Sequence, residues 1–257
     1  MRNTVTWPCP GNHDLKAAHS VDESGPYYDI FTLPKNGEAG GLPSGTEAWY
    51  SFDYGNAHFI SLNSFDVGLE MGDPQLNWLE QDLMNTNQDW IIAYWHHPPY
   101  SKGSHDSDDP GDSGGKLVDM RENAVRVLEE HGVDLVLTGH SHSYERSFLM
   151  RGHYGFSHEL TPAAMIRDNG SGKMDVDCAY LKQEDTTGAV YVVAGTAGSV
   201  GNGTYDHPIM YTSMREFGSV VLEIEDNRLD LKFVSIYGEV MDYFSIVKDF
   251  KNGTKDT

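Results

Sequence analysis

The sequence predicts a layered α/β fold, and two observations support that class. Strand and helix patterns alternate between residues 47 and 137, whereas only strand patterns follow residue 188. Alternation of this kind favours a sheet whose strand-end loops gather into one site. We expect one domain over residues 1–257, with a polar loop excursion at 151–188.

The first elements of the alternating region are a predicted hairpin and a predicted helix. Strand residues over 47–63 flank a Gly-Asn pair at 55–56, which predicts a two-residue hairpin turn. Asp73 and Pro74 then supply a helix N-cap and a preorganised first helical residue, and leucines follow at helical spacing. The pattern therefore predicts two paired strands followed by an amphipathic helix.

Two buried strands and a second helix follow. The short, mostly apolar runs 90–95 and 133–137 predict the strands, and a helical pattern over 117–131 ends at Gly132 between them. Beyond the excursion, the patterns predict a strand at 189–194 and an antiparallel meander of three strands at 218–225, 229–237 and 240–247.

Composition and charge exclude several classes of protein. The formal net charge is -21, so the field of the whole chain repels polyanions and argues against nucleic acid or an anionic membrane as a partner. The chain has no run of about 18 apolar residues, so the sequence predicts no membrane-spanning helix. Cys9 and Cys178 form no CxxC pair, and we expect both to be free thiols.

Three polar motifs each follow a predicted strand. The motif G-N-H-D at 11–14 follows an apolar run at 4–7, the pair His96-His97 follows the strand 90–95, and G-H-S-H at 139–142 follows the strand 133–137. In an extended segment His140 and His142 would point to the same side. Neutral imidazole suits zinc, iron or manganese, so the conjunction of motifs predicts a metal site.

These motifs resemble those of the calcineurin-like metallophosphoesterases, and Y-E-R at 144–146 narrows the resemblance to the purple acid phosphatase-like branch. The resemblance implies a four-layer αββα sandwich of two mixed β-sheets. It also implies hydrolysis of small phosphate monoesters at a binuclear centre, with metal-bound hydroxide as the nucleophile. The ions would be divalent or trivalent, with iron, zinc and manganese as candidates. Relatives of this branch imply export to the periplasm or the extracellular space.

The resemblance also assigns metal ligands residue by residue. Asn12, through its side-chain oxygen, would bind one ion together with His96 and His140. His142 would bind the neighbouring ion.

Further residues would act on the substrate. By resemblance, His13 would face the phosphate and the leaving oxygen as a general acid, with Asp14 orienting its ring. Asp14 also suits a helix N-cap. His105 corresponds either to a substrate-facing histidine of the acid phosphatases or to a solvated loop residue.

Three neighbouring features have plainer interpretations. His97 is expected to support the ligands rather than bind, because consecutive strand residues diverge. The acidic run Asp106, Asp108, Asp109 and Asp112 does not match an EF-hand and predicts a solvated loop. Arg146 would either meet phosphate or pair with a carboxylate, the commoner fate of such a residue.

The Asp-bearing motifs that begin the family pattern do not precede Gly11. We therefore expect a domain without the family's N-terminal strands, completed either by an upstream segment or by a partner chain. Two hypotheses follow. The chain derives from an active metallophosphoesterase with two ions, or it is a non-catalytic fragment or pseudoenzyme that binds at most one ion.

Overall fold

The computed structural model describes residues 4–183 and 187–249. The strands are β1 Tyr50–Tyr54, β2 Ala57–Ser61, β3 Trp90–Trp95, β4 Leu135–Thr138, β5 Tyr144–Ser147, β6 Leu149–Met150, β7 Ile166–Asp168, β8 Tyr180–Lys182, β9 Val190–Ala194, β10 Met210–Met214, β11 Gly218–Glu225, β12 Arg228–Ser235 and β13 Val240–Lys248. The helices are α1 Pro26–Ile30, α2 Pro74–Asn85, α3 Lys116–Asp119, α4 Val125–Glu130 and α5 Pro162–Met165. A π-helical turn, Met120–Ala124, joins α3 to α4, and short 3-10 turns lie at Asp14–Lys16, Asp112–Gly115 and Ser157–Glu159.

A seven-stranded sheet determines where the loops of the molecule meet. Its strand order is β1-β2-β3-β4-β9-β5-β10. Strands β2, β3, β4 and β9 are mutually parallel, whereas β1, β5 and β10 pair antiparallel with their neighbours. Because the carboxyl ends of four parallel strands lie at one edge, the loops that follow β3, β4 and β9 are neighbours in space.

The two faces of this sheet bury different partners. One face packs against α2 and α4 through side chains such as Leu79 and Leu128. The other face packs against a four-stranded sheet, β11-β12-β13-β8, with Trp90 meeting residues such as Phe244 between the sheets. The expected α/β class with two mixed sheets is confirmed. Val221, on the outer face of the smaller sheet, is 45% exposed.

Most of the long elements agree with the sequence patterns. The hairpin closes at Gly55, whose φ of 61° is the left-handed conformation that a tight turn requires. Helix α2 begins at Pro74 with Asp73 at the N-cap position. The meander β11-β12-β13 is antiparallel throughout. These elements were predictable because their periodicity extends over many residues.

Shorter elements differ from the prediction. The excursion 151–188 contains α5, β7 and β8, and β8 extends the smaller sheet by pairing parallel with β13. Strands β5 and β10 were also missed. Strand β5 is buried along its whole length although it carries Glu145 and Arg146, because both charged side chains find partners inside the protein. The run at 4–7, predicted as a strand before G-N-H-D, forms none in its described residues.

Candidate metal centre

Three side chains from separate loops converge at the carboxyl edge of the large sheet. The Nε2 atom of His96 lies 2.9 Å from the Asn12 Oδ1 atom and 3.0 Å from the His140 Nδ1 atom. His96 follows β3, and His140 follows β4, the adjacent parallel strand. The structure therefore brings together the three residues that the resemblance assigns to one ion.

The loop that carries Asn12 is held by aromatic side chains rather than by a strand. The hydroxyl groups of Tyr27 and Tyr50 both donate to the Pro8 carbonyl, at 3.0 and 2.8 Å. Gly11 then passes close to the ring of His96, and a Cβ atom at this position would lie 3.0 Å from the ring Nδ1 atom. A larger residue at Gly11 would push this loop away from His96.

The histidines of H-S-H do not lie in an extended segment, which corrects the sequence prediction. His140 has a φ of 57°, in the left-handed region, and its ring is buried. His142 is exposed, and the two residues nevertheless line the same cavity. Left-handed backbone is uncommon outside glycine and often marks functional sites. Here it turns His140 toward His96.

His97 is buried beside the two assigned ligands. Its Nδ1 atom lies 2.8 Å from the Ser64 hydroxyl oxygen, and the ring centroids of His97 and His140 are 4.3 Å apart. His96, His97 and His140 each place a ring nitrogen within 4.8 Å of the others. The supporting role of His97 stays a prediction, and the hydrogen bond to Ser64 is consistent with it.

Burial makes these imidazoles poor bases. It lowers the pKa of His96 to about 4 and that of His140 to about 3, and the nearby imidazoles add to the effect. The pKa of His97 is lowered to about 2 for the same reasons. Neutral imidazole is the form that binds metal, so the rings are ready to act as ligands near neutral pH.

The surroundings of His13 differ from the expectation. Asp14 does not occupy the cap position, because the 3-10 turn begins at Asp14 itself with His13 as the N-cap. The Asp14 Oδ2 atom accepts a hydrogen bond from the Gly11 amide at 2.9 Å. The Lys16 Nζ atom donates to the His13 Nδ1 atom at 3.3 Å, in the place where the carboxylate of Asp14 was expected.

His105 lies beside His140, next to the proposed metal ligands. Its ring stacks on that of His140, with centroids 3.8 Å apart. Its Nδ1 atom lies 2.8 Å from the Asp112 Oδ1 atom. Asp112 was predicted to be a solvated loop residue, and this contact corrects that prediction. No motif marked Asp112 or its neighbour Ser113 in the sequence.

The other acidic residues of the loop and Arg146 have structural partners. Lys102 pairs with Asp106 and Asp108, each at 3.1 Å. Arg146 is buried and binds both carboxylate oxygens of Asp242, at 2.6 and 3.1 Å. Arg146 therefore has the carboxylate partner that was the commoner of its two expected fates.

These groups surround a cavity of about 430 Å³. The polar residues that line it are Asn12, His13, His96, His105, His140 and His142. The small residues Ala194, Gly195, Ala197 and Gly198, at the end of β9 and in the loop that follows it, also line the cavity. The cavity therefore has room beside the histidines for a small substrate.

The donor set suits a metal ion. An amide oxygen and two neutral imidazole nitrogens are ligands for zinc, iron or manganese. Neighbouring donors on one ion, with bonds of about 2.1 Å, lie roughly 3 Å apart. The distances from the His96 Nε2 atom to the Asn12 Oδ1 and His140 Nδ1 atoms, 2.9 and 3.0 Å, agree with that spacing.

The chain matches the calcineurin-like phosphoesterase family over residues 2–144. This match covers more than half of the chain, which therefore belongs to that family, a family of metal-dependent hydrolases. The relatives place it in the purple acid phosphatase-like branch. That part of the expectation from the sequence motifs is confirmed.

Three relatives illustrate the similarity. Human acid phosphatase type 7 is 29% identical over 84% of this chain and 46% of its own length. Purple acid phosphatase 15 of Arabidopsis thaliana is 28% identical over 61% of this chain and 27% of its own length. The structure of purple acid phosphatase PPD1 from yellow lupin (Lupinus luteus) seeds superposes with a TM-score of 0.64 over 94% of this chain and 40% of that chain, at 20% identity.

The chain thus spans less than half the length of each of these three relatives. None of the helices in the described ranges is long and apolar enough to cross a bilayer. Export stays a prediction from the family resemblance.

Proposed function

We propose that this polypeptide carries the metal-binding half of a phosphomonoesterase site, with small phosphate esters as substrates. The observation that carries the proposal is the convergence of Asn12, His96 and His140 at the carboxyl edge of a parallel sheet. Three loops that are distant in sequence meet there with neutral donors. Membership of the phosphoesterase family supports the choice of reaction.

In this proposal Asn12, His96 and His140 hold one ion and His142 contributes to a second. Such ions supply positive charge to the phosphoryl oxygens and lower the pKa of water. The local positive charge matters because the chain as a whole carries a net charge of -21, which repels a phosphate ester.

Two side chains, His13 and His105, would act on the leaving group and the phosphate. Water adds to phosphorus as the ester P–O bond breaks, and the departing alkoxide takes up a proton to give an alcohol and inorganic phosphate. His13 suits the proton donor, since Lys16 donates to its Nδ1 atom and so leaves Nε2 as the nitrogen that carries the proton. His105 also lines the cavity, where it can orient the phosphate group.

Hydrolysis of p-nitrophenyl phosphate by the full chain, supplied with zinc, manganese or iron, tests the proposal. We expect His140→Ala to abolish turnover and His13→Ala to reduce kcat by about 10²–10⁴. His158→Ala is the matched control, because His158 is exposed and does not line the cavity. Turnover that survives in His140→Ala would contradict the assignment.

A one-ion, non-catalytic form is the second candidate. It is favoured by the position of His142. The described residues contain two groups of three potential ligands, and His142 belongs to neither; the groups are His96, His97 and His140, and His105, Asp112 and His140. Metal content per folded chain separates the two candidates. Two ions, one of them lost in His142→Ala, favour the phosphatase. One ion, lost in His96→Ala but kept in His142→Ala, favours the one-ion form.

A further inference from the structure

The Nε2 atom of His140 faces away from the metal-binding donors and toward the loop at 112–115. Ser113 presents its hydroxyl oxygen 2.7 Å from that atom. The same hydroxyl lies 2.7 Å from the Asp112 Oδ1 atom. Asp112, Ser113 and His140 therefore form a continuous hydrogen-bonded chain that ends at an assigned metal ligand.

The chemistry of the three groups sets the direction of these hydrogen bonds. A carboxylate can only accept, so the Ser113 O–H donates to Asp112. The serine oxygen is then left as an acceptor for His140, whose Nε2 atom must carry the proton. A neutral ring that is protonated on Nε2 has a bare Nδ1 atom, and that atom points at His96.

We propose that Asp112 and Ser113 are positioning residues that fix His140 in the tautomer able to bind metal through Nδ1. The inference deepens the proposed metal centre and rests on it for its functional meaning. Ser113 acts directly on the ring, whereas Asp112 acts through the serine hydroxyl. Because His105 also contacts Asp112, at 2.8 Å, the same carboxylate orients a second histidine of the cavity.

The backbone at Ser113 supports this assignment. Its φ of 53° lies in the left-handed region, which a non-glycine residue adopts at an energetic cost. Glycine would fit this position without strain, and Gly114 and Gly115 follow in the same region. Serine adds to glycine only the side chain that reaches His140 and Asp112.

The first experiment needs no metal. Long-range ¹H–¹⁵N spectra of the metal-free full chain, with labelled histidine at a pH where His140 is neutral, report which ring nitrogen carries the proton. We expect the Nε2–H form in the wild type and a mixed or inverted population in Ser113→Gly. Protonation of Nδ1 in the wild type, or an unchanged tautomer in Ser113→Gly, would overturn the inference.

The choice of Ser113→Gly guards against misfolding, since glycine tolerates the left-handed backbone. Its melting temperature should equal or exceed that of the wild type. Asp109→Asn is the matched control, because Asp109 is exposed on the same loop and accepts a hydrogen bond from the Gly111 amide that asparagine can preserve. This control should leave the His140 tautomer unchanged.

The second experiment measures the dissociation constant for zinc by dye competition. We expect Ser113→Gly and Asp112→Asn to weaken binding by about 10–100-fold, as changes to the partners of metal ligands do. Affinity within about twofold of the wild type in both variants would contradict the positioning role. A wild type that binds no zinc would instead refute the proposed metal centre, and the tautomer spectra would still decide the inference about Ser113.

Discussion

Two histidine sites lie at opposite edges of the large sheet, and the rings are neutral at one and positively charged at the other. At the carboxyl edge His96 and His140 face other imidazoles, and burial lowers the pKa of each ring. At the other edge His58 lies between Asp53 and Asp82, with contacts of 2.7 and 2.8 Å. Burial lowers the pKa of His58 as well, but the two carboxylates outweigh it, so the pKa is raised.

The difference shows that burial alone does not decide whether a histidine ring is neutral or charged. A ring that donates no hydrogen bond directly to a carboxylate, such as His96 or His140, stays neutral and keeps a lone pair for a metal. A buried ring between two carboxylates holds its proton and becomes a cationic link, here between the hairpin β1-β2 and helix α2. One site is therefore suited to binding and the other to stability.

The largest loss of stability is expected for Asp82→Ala, which removes one carboxylate partner of His58. Asp82 is 1% exposed, and it accepts hydrogen bonds from the Leu42 amide and the Ser51 hydroxyl besides pairing with His58. Removing one partner of a buried ion pair costs about 3–5 kcal/mol. Urea denaturation should show that loss in the free energy of unfolding, whereas Asp29→Ala, at an exposed position, should show almost none. A loss below 1 kcal/mol for Asp82→Ala would mean that the pair does not stabilise the fold.

Bound metal should stabilise the folded protein through His96 and His140, and this effect should not depend on His58. A ligand that binds only the folded state raises the free energy of unfolding by about 2.7 kcal/mol at a hundredfold excess over Kd. We expect this gain in the wild type and in His58→Gln, measured from each protein's own metal-free baseline, but not in His96→Ala. If His58→Gln also lost the gain, the two histidine sites would not be independent.

Asp53→Asn should have a smaller effect than Asp82→Ala. The Asp53 side chain is 33% exposed, so solvent screens its charge. The asparagine oxygen can still accept a hydrogen bond from the His58 Nδ1 atom. We expect a loss of about 1 kcal/mol or less by urea denaturation. A loss as large as that of Asp82→Ala would mean that exposure does not distinguish the two carboxylates.

The pH dependence should be the smallest effect, because burial of His58 offsets part of the influence of the carboxylates. The folded pKa is raised above the unfolded value of about 6.5, so the contribution is complete below about pH 6.5 and is lost as the pH rises through the folded pKa. The stability difference between the wild type and His58→Gln should therefore shrink as the pH increases. A difference that grows with pH would show that His58 is buried as a neutral ring.

At the candidate metal centre, the lowered pKa values predict a pH dependence of stability opposite to that of His58. Below about pH 6.5 the unfolded chain takes up protons that the folded rings of His96 and His140 bind only near pH 4 and 3. Stability from this site should fall as the solution becomes acidic, and bound metal should delay the fall because it competes with protons. Thermal melts of His58→Gln from pH 7 to pH 4, with and without zinc, measure this effect apart from His58. Melting temperatures that rise toward acid pH would contradict the lowered pKa values.

Much of the candidate metal centre was predictable because two of its three motifs follow recognisable strands. Parallel strands bring their carboxyl ends to one edge, so His96 after β3 and His140 after β4 had to be neighbours once the strands were placed. Asp112 and Ser113 could not be found in this way. They belong to an irregular loop without periodicity, and only its folding against His140 gives them a role.

The sequence by itself determined the α/β class, the hairpin, the helix α2, the meander and the three motifs, since each depends on local periodicity or on a short pattern. Only the tertiary structure decided which charges the histidines carry. His58 and His96 both belong to apolar strand regions in the sequence, yet one meets two carboxylates and the other meets imidazoles. The charge of a buried ring depends on neighbours within a few ångströms, and those neighbours come from distant parts of the chain.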